Sequence, residues 1–188
     1  MPLYPKPPGI MIPSTLLKLL LMFLFIGCQL DIHDNSFDSP FDIDGSKKNG
    51  VFPPALTLHP KDISVNVNES AKMSVYIIEV NDLSGANAVI NYDFTKLSVI
   101  DAQPGDFFES SQAPLFVYDD NEGILNIFTS YLGSERKVSG SGSLAIITFE
   151  SKVSGKSIVS FSENSELVDK DDIPIAIKGF GQGSINAK

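Results

Sequence analysis

The sequence predicts an all-β domain of the sandwich or barrel class over residues 55–188. Three observations carry this. Apolar and polar residues alternate with period two in many short runs, turn-forming residues fall between those runs, and no stretch beyond the N-terminal apolar segment shows an amphipathic helical period. Short strands at regular spacing with no helices between them point to a sandwich or a barrel.

The strands follow in order. Ile63, Val65 and Val67 alternate with Ser64, Asn66 and Asn68. Met73, Val75 and Ile77 open a run reaching Val80, and Ala88, Ile90 and Tyr92 alternate with Asn87, Val89 and Asn91. Leu97 to Ile100, Leu115 to Tyr118 and Ile124 to Tyr131 come next. Leu144 to Phe149 is almost unbroken in its apolarity, as a central strand would be. Ile158 to Phe161, Ile173 to Ile177 and Ser184 to Ala187 complete a set of about nine. Asn81-Asp82, Gln103-Pro104-Gly105, Asp119 to Gly123, Ser139 to Gly142 and Ser154-Gly155 are read as the connections.

Ahead of the domain the chain changes character. Leu16 to Gly27 reads LLKLLLMFLFIG, shorter than the roughly 20 apolar residues a membrane span needs. It has the length of the apolar part of an export signal, and Met11 is the expected start of that signal, with Lys18 as its positive end. Phe25-Ile26-Gly27-Cys28 looks like a lipobox, in which a small residue precedes a cysteine that is diacylated and becomes the first residue. Residues 1–27 are therefore expected to be a lipoprotein signal peptide, and Cys28 the lipidation site. Two acyl chains anchor stably where one is marginal. Gln29 follows Cys28, and the lack of an aspartate there leans towards an outer membrane or cell-surface location. Residues 28–54 are then an acidic flexible tether, rich in turn formers. Asp42-Ile43-Asp44-Gly45 hints at a calcium loop, but the glycine comes at position four where an EF-hand needs it at six.

Charge and composition exclude several functions. The net charge is −9; without residues 1–27, which hold Lys6 and Lys18 and no acidic residue, 12 basic face 23 acidic residues, a net of −11. Such a surface repels nucleic acid and anionic headgroups. One cysteine permits no internal disulfide. His33 falls in the tether and His59 beside Pro60, and neither has a partner at zinc-ligand spacing. The acidic pairs Asp119-Asp120 and Asp171-Asp172 are placed in turns, where solvation or a structural calcium suits them better than catalysis across a cleft. No enzyme, cofactor or metal site is expected.

Four stretches carry a family resemblance. Asn91-Tyr92-Asp93-Phe94-Thr95-Lys96-Leu97-Ser98-Val99 is similar to a YDP-x-x-L-x-V strand and turn, with Phe94 in place of proline. Gln103-Pro104-Gly105-Asp106 resembles a PGD turn. Ser139 to Phe149, SGSGSLAIITF, resembles G-x-G-x-L-A-x-I-x-F, and Gly179 to Ile185 a glycine-rich turn into a last strand. In this order and spacing, they resemble the cohesin domain, which grips dockerins in cellulosome scaffolds and has cellulose-binding modules as its sister families. The resemblance implies a nine-stranded jelly-roll β-sandwich with no catalytic machinery, a dockerin-like protein as partner, and a setting in polysaccharide breakdown.

It also implies that a partner lies across one sheet face, on the strands at residues 87–91, 115–118 and 124–130. Alternation then assigns side chains to the faces. Asn87, Val89 and Asn91 should point outward from the first, Asn126, Phe128 and Ser130 from the last, and Phe116 and Tyr118 from the middle one. A register shifted by one residue would turn the faces over and make Phe116 and Phe128 core. Asn87 stands where the family has an aspartate. The competing reading is a carbohydrate-binding module holding polysaccharide at the cell surface. Such platforms usually rest on tryptophan, which this chain lacks; Tyr76, Tyr118 and Tyr131 would have to substitute.

Overall fold

The computed structural model describes residues 39–108, 115–132 and 136–188. The expected signal peptide and Cys28 lie outside them. The described chain is a two-layer β-sandwich, as the alternation predicts. Its strands are β1 (Ala55–His59), β2 (Asp62–Val65), β3 (Ser70–Asn91), β4 (Leu97–Pro104), β5 (Leu115–Asn121), β6 (Ile124–Ser130), β7 (Val138–Ser151), β8 (Gly155–Phe161), β9 (Glu166–Asp169), β10 (Gly179–Phe180) and β11 (Gly183–Ala187). Eleven strands stand among the described residues where about nine are expected: β1, β9 and β10 are passed over in sequence reading, while two expected runs merge into β3 and Ile173 to Ile177 forms no strand.

The back layer holds β1, the first half of β3, β7 and β4, in that order. The front layer runs from β9, with the end of β8, through the second half of β3 to β6 and β5. β11 joins β8 to β2 along one side. Leu56, Val75, Ile77, Ile147 and Phe149 from the back meet Ala88, Ile90, Leu125 and Ile127 from the front. The ring of Tyr92 crosses between the layers to the edge of Phe149, at 5.4 Å between centroids.

β3 departs from expectation. The Asn81-Asp82 segment is not a turn; one strand of 22 residues runs through it and passes from the back layer to the front. Glu79 and Asp82 adopt positive φ, and the pairing with β7 slips at this corner. Their freed amides donate to the hydroxyls of Ser141 and Ser139, each at 2.8 Å. The serine-glycine run 139–142, expected as a turn, is therefore strand, and its hydroxyls satisfy the bend opposite. Ile173 to Ile177 is not a strand either. Pro174 has no N–H to give to a ladder, and only an isolated Val168–Pro174 bridge forms. β1 shows no alternation because four of its five residues are buried.

The acidic segment before the domain carries a helix, α1 (Ile43–Lys48). The carboxylate of Asp42, the first residue of the suspected calcium loop, accepts from the Gly45 amide at 2.9 Å and caps it. Just before it, Phe41 sets its ring edge-on to Tyr76, 5.3 Å away on the back layer.

Candidate docking face

The outward side of the front layer is built row by row from strand pairing. Residues directly opposite each other on neighbouring strands share a face. One row reads Glu166, Asn87, Phe128 and Val117 across β9, β3, β6 and β5. The next towards one end reads Val168, Gly85, Ser130 and Leu115. Towards the other end come Val89, Asn126 and Asp119, then Asn91, Ile124 and Asn121.

Six of the eight side chains assigned to this face from sequence are on it: Asn87, Val89, Asn91, Asn126, Phe128 and Ser130. Phe116 and Tyr118 are not. They pair with Thr129 and Ile127, whose side chains are buried in the core, so β5 sits in the opposite register. Phe116 packs against the core, and Tyr118 stands on the inward side of an edge strand, where it keeps 40% of its surface exposed. Leu115 and Val117 take the outward places and are 47% and 48% exposed. With Phe128 at 43% they form one apolar patch, while Ile124, 48% exposed, stands two rows away beyond Asn126 and Asp119. Asn126 and Asp119 border the patch along the strands, Ser130 and Asn87 lie beside it, and Asn91 and Asn121 flank Ile124. An apolar centre inside a polar rim is the usual anatomy of a protein-binding patch.

Val89 contributes little surface. Its backbone amide donates to Ser165 Oγ at 3.0 Å, its carbonyl accepts from Ser162 N at 2.8 Å, and the segment joining β8 to β9 buries it. Asn87, squeezed between Phe128 and Glu166, has its Oδ1 buried with no hydrogen-bond partner.

The edge of the face is fixed by one polar contact. The Tyr92 hydroxyl donates to the Asp120 carboxylate, 2.7 and 2.8 Å from its two oxygens. Burial first, and then the hydrogen bond to Asp120 and the charge of its carboxylate, push the Tyr92 phenol well above its ordinary value. Asp119 and Asp120 are strand residues, not turn residues: Asp119 faces out, and Asp120 holds the end of β3 to β5. The turn proper is Glu122-Gly123, both at positive φ, the two-residue form that joins twisted strands in a hairpin. Nearby, Asp93 accepts from Thr95 Oγ1 and N, and with Lys96 beside it its carboxyl is held below the usual range.

Among the described residues, no group of three or more His, Cys, Asp or Glu stands close enough to hold a metal ion. Nor is any helix there long and apolar enough to cross a membrane.

This geometry has counterparts among known proteins. A search of curated proteins returns no match. Solved structures do align. The sixth cohesin of scaffoldin B from Acetivibrio cellulolyticus, in complex with a mutant dockerin, is 20% identical and superposes with a TM-score of 0.60 over 71% of this chain and 98% of that one. The cohesin in a type II cohesin–X-dockerin complex from the same organism gives 19% identity and a TM-score of 0.63, over 71% of this chain and 99% of that one. A non-cellulosomal cohesin from the archaeon Archaeoglobus fulgidus gives 18% and 0.58, over 71% and 91%. At such identities the likeness establishes the fold. The family model described as Cohesin domain matches residues 56–187, most of the chain, and the chain belongs to the cohesin domain family.

Proposed function

We propose that this chain is a non-catalytic receptor that binds a dockerin-type protein on the outward face of β3, β6 and β5. The observation that carries this reading is the exposed patch of Leu115, Val117 and Phe128 bordered by Asn126, Asp119, Ser130 and Asn87, on a domain of the cohesin family. Phe128 and Val117 lie side by side on adjacent strands and are the expected anchors, since a few central apolar side chains supply most of the affinity of such a face. Dockerins accompany two of the similar cohesins, which supports the same class of partner here. The setting is polysaccharide breakdown outside the cell, with the domain held to a membrane by lipid on Cys28.

The test is capture of dockerin-bearing proteins from the secreted fraction by the immobilised chain, set against retention of the chain on insoluble cellulose. Capture that falls at least tenfold in Val117→Asp and in Phe128→Ala supports the reading. Undiminished capture by both variants, or retention on cellulose without protein capture, overturns it. Anchoring is tested separately: Cys28→Ser moves the protein from the membrane to the soluble fraction and abolishes labelling by a fatty acid. A membrane-bound Cys28→Ser protein would refute the anchor.

A further inference from the structure

Residues 39–54, expected from sequence as part of a free tether, are held by the sandwich in two unequal ways. The part next to β1 is fastened. Lys178 N donates to the Pro54 carbonyl at 2.8 Å, and the chain at Phe52 runs so close to β10 that a Cβ on Gly179 would stand 2.6 Å from the Phe52 nitrogen. The part before it, residues 39–50, is held lightly. α1 buries none of its side chains. This part meets the sheet through the ring of Phe41, set edge-on to Tyr76 and still 47% exposed.

Tyr76 is a fixed platform on the outward side of the back layer. Along β3 it stands between the core residues Val75 and Ile77, and across the sheet it pairs with Thr57 of β1. His59, two residues further along β1 on the same side, sets its ring edge-on to Tyr76 at 6.2 Å. The docking face is the outward side of the other layer, so residues 39–50 and that face lie on opposite sides of the sandwich.

α1 has six residues, and isolated helices shorter than about 12 residues are marginal in water. Its ends are closed locally. Asp42 caps the start, and the backbone and side-chain amides of Asn49 both donate to the Gly45 carbonyl. Gly50 follows at φ of 79°, the left-handed conformation in which many helices end. An edge-on aromatic pair favours the docked form by only about two- to tenfold. Docking therefore reverses while the rest of the domain stays folded.

We propose that residues 39–50 are a releasable strap, docked by Phe41 on Tyr76, that gives the link between membrane anchor and domain two lengths. This rests on the lipid anchor at Cys28 proposed above and extends it. Docked, the strap carries the start of the domain back to residue 39, and its six helical residues rise about 9 Å. Released, it adds a dozen residues of free chain, with a reach of up to roughly 40 Å. The domain then stands further from the membrane with its docking face unaltered, because strap and face share no residue.

The experiment is hydrogen exchange, read by mass spectrometry, on the full chain in detergent micelles. Peptides covering residues 39–51 are compared with peptides covering residues 144–149 of β7. Protection of about two- to a hundredfold is expected in the strap, against more than about a thousandfold in β7. Phe41→Ala and Tyr76→Ala should each lower the strap's protection by at least about twofold and leave β7 unchanged, which shows that the variants fold. Should Tyr76→Ala also weaken β7, Phe41→Ala, which alters only the strap, decides alone. Strap protection equal to that of β7 overturns the proposal, since the strap then opens only with the domain. No protection in the wild type, or protection that Phe41→Ala leaves intact, overturns it as well. If the strap behaves as expected while Cys28→Ser protein stays on the membrane, the strap stands and its link to a lipid anchor falls.

Discussion

Removing a single oxygen, by Tyr92→Phe, tests how the edge of the docking face is held. The ring stays: it is 9% exposed and keeps its edge contact with Phe149. What is lost is the hydrogen bond to Asp120. A hydrogen bond to a charged group contributes roughly 1.5–3 kcal/mol. Asp120 is exposed and regains water when the phenol goes, so the expected loss is at the low end, about 1–2 kcal/mol. In a domain of this size that lowers Tm by roughly 3–8 °C. The alkaline limb gives a second readout. The phenol is raised above its ordinary value of 10.0, so above that pH the folded state holds a proton that the unfolded state has released. Its contribution is complete below pH 10 and falls away as pH rises through the folded value. Chemical denaturation from pH 7 to 11.5 should show a constant gap between wild type and Tyr92→Phe up to about pH 9, closing beyond pH 10. No gap at pH 7, or one that persists undiminished to pH 11.5, would refute the reasoning.

Three further outcomes follow from the packing. Phe149→Ala empties a fully buried site and deprives Tyr92 of its ring contact, so urea denaturation should show a loss of about 3–5 kcal/mol. Gly123→Ala places a methyl group 2.5 Å from the Tyr92 carbonyl at a residue with φ of 89°, so it should lose roughly 1–3 kcal/mol in the same assay. Asp93 is held below its ordinary 3.8 by Thr95 and Lys96, so its contribution is present above pH 3.8 and lost as pH falls through the folded value. Asp93→Asn should therefore flatten the acid limb of the stability curve below about pH 4, read by denaturation at stepped pH, and leave its slope near neutrality unchanged.

The core was legible because its pattern is redundant. Met73, Val75 and Ile77 alternate with Ser74 and Tyr76, Ala88 and Ile90 alternate with Asn87, Val89 and Asn91, and these five are buried. Leu144 to Phe149 reads as a central strand and is one, with β3 on one side and β4 on the other. What escaped reading has a local cause in each case. Ala55 to Leu58 is buried without alternation, so no period exists to detect. Asn81-Asp82 has the composition of a turn, yet hydroxyls 57 or more residues away satisfy the amides of Asp82 and Glu79 and let the strand continue. Ile173 to Ile177 has the composition of a strand, but the proline in it permits only a bridge.

The outward side chains were legible on β3 and β6 and misread on β5, and the misreading was avoidable from the sequence. Leu115-Phe116-Val117-Tyr118 is apolar on both sides, so alternation within it decides nothing. The register is decided at the far end, by the turn. If the whole of Asp119 to Gly123 is loop, the turn leaves β5 free to slide against β6. If only Glu122-Gly123 is loop, Asn121 must face Ile124, and every pairing back along the hairpin follows. Phe128 then falls opposite Val117, and Ile127 opposite Tyr118. Leu125 and Ile127 have to point inward to build the core, so Tyr118 and Phe116 must do so as well. A glycine at the second position of a two-residue turn thus chooses which side chains stand on the proposed docking face. For that reason Gly123→Ala should weaken partner capture more than its loss of stability alone accounts for, by freeing β5 to shift Leu115 and Val117 off the face. Capture that declines only in step with the unfolded fraction would show that the register is held elsewhere, by the Tyr92–Asp120 contact.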